Sequence, residues 1–181
     1  MYKRQEFEIS WNDQLASGFH YTVGFNLSDY QSEVTKFDNK SKELGNWYVG
    51  QKQGEIWGYE TYGLFQSEQE IAGAANQDKV SGGIKLMPGD IRFVDRNNDG
   101  VIDWGKNYAD DSGDMKIIGN STPRYHYGIN LGADWKGFDL GIFFQGVGKR
   151  DLYLPGTSFR SHYGSEWQVP SAYNNDYWTE E

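Results

Sequence analysis

The chain has 181 residues, a formal charge of −9, and an aromatic load of 13 Tyr, 10 Phe and 7 Trp. That acidity excludes nucleic acid as a partner, because phosphates are met by clustered Lys and Arg. The absence of cysteine excludes a disulfide framework and thiolate chemistry, and no apolar run approaches the roughly 20 residues of a membrane-spanning helix.

The opening Met1–Glu8 carries basic residues with no apolar core behind them, so it is not a signal peptide. It reads as the middle of a strand, which implies a chain lacking its true beginning. Residues 3–12 alternate Phe7, Ile9 and Trp11 against Glu6, Glu8 and Ser10, the period-two signature of a strand. Asn12 to Gly18 supplies turn-forming residues, and 18–28 alternates again, with Phe19, Tyr21, Val23, Phe25 and Leu27 on one face. From Asp29 to Pro123 the pattern breaks down. Within that stretch Ser67 to Ala75 predicts a short helix, with Ser67 as cap and Glu70 placed for a capping box. Alternation returns over 124–135 and 138–148, joined by Lys136-Gly137, with Tyr127, Ile129, Leu131, Leu140 and Ile142 on the apolar face.

Strands of soluble sheets usually run to about 5–6 residues, whereas a membrane-spanning strand needs roughly 9–11 with aromatics at its ends. The expectation is an all-β chain: antiparallel strands forming part of a large transmembrane β-barrel. Its short connections would be periplasmic turns and its long ones extracellular. The organisation expected is a hairpin over 3–28, a long extracellular loop over 29–123, a hairpin over 124–148 and the start of another extracellular loop over 149–181.

One loop carries a metal-type motif. Asp95, Asn97 and Asp99 fall at positions 1, 3 and 5 of a calcium loop, Gly100 at the turn position 6 and Ile102 at the apolar position 8. Val101 would add its carbonyl, and Asp103 would ligate directly or through water. Position 12 is Lys106 rather than a bidentate Glu, so Asp110, Asp111 or Asp114 would have to substitute. A weak structural Ca2+ is expected; a metal-free turn held by its own backbone bonds is the competing reading. His20, His126 and His162 have no metal-type spacing and read as ordinary polar positions. Gly146-Val147-Gly148-Lys149-Arg150 lacks the spacing of a phosphate loop. No nucleophile elbow or paired acids appear, so no enzyme is expected. Trp47, Trp57, Tyr59, Tyr62 and Trp104 are candidates for stacking on sugar rings, or simply for folding the long loop on itself.

Several stretches resemble the SusC/RagA-type TonB-linked outer-membrane transporters: LSDYQSEVTKFDN (27–39), VGQKQGEIWGYETYGLFQ (49–66), PGDIRFVDRNNDGVID (88–103) and IIGNSTPRYHYGINLGADWKGFDLGIFFQGVGKRD (117–151), with Tyr177-Trp178-Thr179 like the start of a further motif. The resemblance implies a large plugged barrel in the cell outer membrane that imports glycans or peptides. Its implied partners are a SusD-like surface lipoprotein and the TonB complex, the latter through regions absent here. The alternative is a soluble, calcium-stabilised β-domain that binds carbohydrate.

Overall fold

The computed structural model describes residues 1–152. The elements run β1 (Tyr2–Gln14), β2 (His20–Ser32), β3 (Glu55–Tyr59), β4 (Thr61–Leu64), α1 (Glu68–Ala72), α2 (Asp78–Ser81), β5 (Ile91–Phe93), β6 (Met115–Asn120), β7 (Arg124–Trp135) and β8 (Phe138–Lys149). They fall into two compact units. The first holds Met1–Asp38, Tyr48–Glu55 and Asn120–Asp151; the second holds Asn39–Trp47 and Ile56–Gly119.

The first unit is an antiparallel sheet of order β1-β2-β7-β8. Its outer pairs are local hairpins. Trp135 pairs with Phe138 across Lys136-Gly137, whose φ values of 51° and 85° are the left-handed pair that a two-residue hairpin matching the strand twist requires. The Lys136 ammonium sits 4.5 Å from the centre of the Trp135 ring, an anchor for a non-glycine residue in that conformation. The middle pair, β2 with β7, is non-local: His20 faces Asp134 and Ser28 faces His126. At its open end Arg124 makes a two-pronged ion pair with Asp29. Further along, the backbones of Glu33 and Lys52 form an antiparallel β-bridge, and Asn120 N donates to the Asp151 carboxylate at 2.7 Å.

The second unit is irregular, with two-stranded sheets β3-β6 and β4-β5. Its core is small: Phe65 and Ile102 are fully buried, together with the polar Gln77 and Asp114. Gln77 stands in for a strand partner, donating to the Ile91 carbonyl and accepting from Phe93 N. The predicted helix is present as α1. Ser67 caps it by accepting from Glu70 N at 3.2 Å, while the Glu70 carboxylate takes Gln66 N, not Ser67 N, so the capping box is half made.

This architecture corrects the sequence reading. An all-β transmembrane barrel is expected from strand length, but the described residues form open sheets with two helices. β1 and β8 lie at opposite ends of the sheet order and do not pair with each other. A barrel exists only when its end strands join and abolish the edges, and here each end strand keeps a free edge among the described residues. The stretch 29–123 holds both helices, one of them the helix expected after Ser67, and β3 to β6. Most of the expected loop over 149–181 lies outside the described residues. No described helix is long and apolar enough to cross a membrane.

The Asp29–Arg124 clamp generates a prediction. Hydrogen bonding to the Arg124 guanidinium holds the Asp29 carboxyl below its ordinary pKa. A carboxylate depressed in the folded state contributes fully above its unfolded value of about 3.9 and loses that contribution as pH falls through the lower folded value. Asp29→Asn should therefore cost about 1–2 kcal/mol at pH 7. The difference from the parent should shrink as the pH is taken below about 3.9, read by urea unfolding across that range.

Candidate functional site

The glycines of β2 and β7 decide the shape of one sheet face. Thr22 pairs with Gly132, Gly24 with Asn130 and Asn26 with Gly128, so each cross-strand pair sets one side chain against none. A Cβ added to Gly128 would lie 2.8 Å from Asn26 Nδ2; the Asn26 amide leans over the space that residue 128 leaves free. The register continues outward, with Glu8 opposite Asn26 on β1 and Gln145 opposite Gly128 on β8.

Asn26, Gly128 and Gln145 of that row lie in a cleft of about 440 Å³ lined also by His126, Tyr127, Phe143, Gly146 and Val147, with Glu8 outside the lining. An aromatic row leads into it. Tyr2 and Tyr30 stack with centroids 5.7 Å apart, and Tyr30 stacks on His126 at 6.2 Å with the rings 10° from parallel. Phe143 is exposed. Such a site offers amide donors and acceptors beside flat apolar surface. Sequence reading missed it, treating His126 as an ordinary polar position. The available signal was the Gly/Asn/Gln content of the face opposite the apolar one, but its cross-strand partners depend on a pairing about a hundred residues apart. Among the other histidines, His20 Nδ1 lies 2.7 Å from Asp134, and His162 falls outside the described residues.

The acidic loop is ordered by its own polar groups. Asp95 accepts from Asp99 N and Gly100 N, Asn97 Nδ2 donates to Asp99, and Asp99 accepts from Val101 N. Asn98 and Gly100 are left-handed, at φ 58° and 83°. Asp95, Asn97 and Asp99 are thus gathered on one turn, and no described group donates to the Val101 carbonyl. Asp103 is directed elsewhere. Its carboxylate binds Lys79 Nζ at 2.6 Å and Gly105 N at 2.8 Å, and the Lys79 contact holds its pKa below the ordinary range. Asp114, a possible substitute ligand by sequence, is fully buried and accepts from Arg96 N and Asp103 N. It is a structural brace. Asp110 pairs with Lys42 and Asp111 with Lys106. No three carboxylates or imidazoles converge among the described residues; of the residues expected as ligands, Asp95, Asn97, Asp99 and Val101 share the turn, and Asp103 faces Lys79.

The loop aromatics do not form one platform. Tyr59 packs on Phe93 at 5.4 Å, Tyr62 is covered on one face by Arg92 at 5.2 Å, and Trp47 and Trp104 are exposed singly.

The chain matches no protein-family model. It is 28% identical over 156 residues to TonB-dependent receptor P3 of Formosa agariphila, covering 79% of this chain and 14% of that protein. It is 27% identical over 184 residues to TonB-dependent receptor P39 of the same organism, covering 84% of this chain and 17% of that protein. The chain therefore spans less than a fifth of the length of either relative. This likeness is distant, and it does not close the sheet. The reading of the chain as a barrel fragment of a SusC/RagA-type transporter is overturned by the two free sheet edges. The outer-membrane location, the import of glycans or peptides, and the SusD-like lipoprotein and TonB complex as partners were what that resemblance implied, and the open sheet corrects them with it.

Asp114 gives the second prediction. Removing its carboxylate by Asp114→Ala leaves two backbone N–H groups without acceptors in a fully buried position, each worth about 1–3 kcal/mol. Hydrogen exchange at the Arg96 and Asp103 amides should accelerate at least about tenfold, while exchange in β2 and β7 stays at parent rates.

Proposed function

We propose that this chain is a carbohydrate-binding β-domain that acts by binding, without a catalytic step, and that a calcium ion stiffens its 95–103 loop. The observation that carries the reading is the cleft on the four-stranded sheet, where Asn26 and Gln145 stand beside the exposed ring of Phe143. The side-chain amides of Asn26 and Gln145 donate to and accept from no other described residue, so they keep their full capacity for a ligand. Sugars present hydroxyls around the edge of a ring and C–H groups on its faces. A site for them needs amides or similar groups at the edge and an aromatic face below, with a volume in the roughly 300–1,000 Å³ range of ligand clefts. The cleft supplies all three.

The calcium component is supported by the donor set gathered on the turn. Asp95, Asn97 and Asp99 are hard oxygen ligands, and the two carboxylates among them repel each other at close range. A bound cation neutralises that repulsion and adds a ligand bond to the Val101 carbonyl. With Asp103 committed to Lys79 and Gly105, fewer ligands remain than in a full loop. The affinity expected is therefore the weak, roughly 10⁻⁴–10⁻³ M class of extracellular modules.

Two measurements test the reading. In affinity gel electrophoresis against a panel of polysaccharides, the parent should be retarded by at least one, and Phe143→Ala should weaken that retardation about tenfold, the loss of one stacking face. Calcium at millimolar concentration should slow proteolysis within 95–103, and Asp99→Ala should abolish the effect. Cleavage indifferent to calcium in the parent would leave the loop as a self-bonded turn and remove the metal from the proposal.

A further inference from the structure

We infer that the cleft selects neutral sugar rings over acidic ones, with the Asn26 and Gln145 amides as recognition groups and the Glu8 carboxylate as the group that turns anions away. This rests on the carbohydrate-binding reading and specifies its ligand. The register sets Glu8, Asn26, Gly128 and Gln145 in one transverse row across the four strands. Asn26 and Gln145 lie two strands apart, roughly 10 Å at the backbone. They converge because residue 128 has no side chain: the Asn26 amide leans across that gap in the direction of Gln145, into space a Cβ would contest at 2.8 Å. Two amides closing on one cleft from opposite sides suit a ring with hydroxyls at both edges.

The charges around the row then decide the ligand's sign. Asn26 and Gln145 are neutral, so the cleft itself offers no ammonium or guanidinium to hold a carboxylate or sulfate. The formal charge that pairing places directly beside Asn26 is Glu8, exposed and without an ion-pair partner among the described residues. Its neighbour on the same face, Glu6, is bound to Arg4. Lys149, on the β8 face that carries Gln145, is four residues further on, about 13 Å along the strand, and the whole chain is acidic at −9. An acidic ring seated between the amides meets repulsion from Glu8 and no ammonium or guanidinium in the cleft lining, where His126 is the one ionisable base. A neutral ring meets only the amides and the Phe143 face.

Calorimetric titration of the parent with neutral gluco-, manno- and galacto-hexasaccharides and with the uronate hexamers of the same sugars tests this. At least one neutral oligomer should bind roughly tenfold or more tighter than its uronate partner. Glu8→Gln should leave neutral binding in place and narrow that ratio about fivefold, the scale of one exposed charge pair. Gly128→Ala keeps both amides yet displaces Asn26, and should weaken neutral binding about tenfold, as should Asn26→Ala. Circular dichroism and urea midpoints confirm that each variant is folded, and a variant that fails this check is replaced by Gln145→Ala. Uronates binding as tightly as neutral oligomers would overturn the selectivity, and an unchanged ratio in Glu8→Gln would overturn the role of Glu8. Parent-like binding in the folded cleft variants would overturn the site while leaving the carbohydrate reading intact. Binding of none of the six oligomers would bring down both.

Discussion

The pairing of β2 with β7 is the constraint on which the first unit depends. Each hairpin, β1-β2 and β7-β8, is local and closes through a short turn, but a lone hairpin is marginal in water. Joining them makes a four-stranded sheet at the entropic expense of closing a connection of roughly a hundred residues, a cost that grows only logarithmically with length. The contacts that meet it are concentrated at the strand ends where the connection leaves. Arg124 grips Asp29, the backbones of Glu33 and Lys52 form an antiparallel β-bridge, and Ser121 N donates to the Gly54 carbonyl at 2.7 Å. At the other end of the pair His20 meets Asp134 and the Trp135 indole donates to Ser17 O. The glycines of this pair serve it too, because a side chain opposed to a glycine can lie flat across the partner strand.

The second unit solves a different problem. It buries few apolar residues, and its large hydrophobic core positions are Phe65 and Ile102. Its irregular backbone would leave buried N–H and C=O groups without partners, each a penalty comparable to a lost hydrogen bond. Side chains fill the gap. Gln77 acts as a missing piece of strand for Ile91 and Phe93, and Asp114 as a double acceptor for Arg96 and Asp103. Around the latter the chain is tight: a Cβ on Gly113 would sit 2.5 Å from the Asp103 carbonyl oxygen and Gly105 N. Glycine is required there by both space and its φ of 55°. The acidic loop is therefore held at its far end by a buried carboxylate instead of by a twelfth-position ligand.

One consequence joins the sheet's two faces. The apolar face carries Phe7, Ile9 and Trp11 on β1 and Phe138, Leu140 and Phe144 on β8, all exposed. The other face is polar, glycine-rich and indented. Long alternating strands with aromatic ends are the pattern that reads as a membrane wall in sequence. The same pattern fits an open sheet equally well, because alternation is a statement about faces and carries no information about whether the outermost strands meet.

By itself the sequence determined the local structure. Period-two alternation placed strands around Phe7–Trp11, Tyr21–Leu27, Tyr127–Ala133 and Leu140–Phe144, since only an extended chain sorts neighbours to opposite faces. Lys136-Gly137 marked the turn between the last two, and Ser67 marked a helix start. The Asp95–Asp103 turn was visible as well, since its bonds run between residues a few positions apart. The tertiary structure alone decided what lies beside what: the order β1-β2-β7-β8 with its two free edges, the capture of Asp103 by Lys79 and of Asp114 by backbone amides, and the row Glu8–Asn26–Gly128–Gln145, whose last three members line the cleft. Each of these joins residues from 11 to more than a hundred positions apart. Periodicity and turn chemistry act over a few residues, whereas strand order, edge closure and convergence of side chains are settled by packing and pairing across the whole fold.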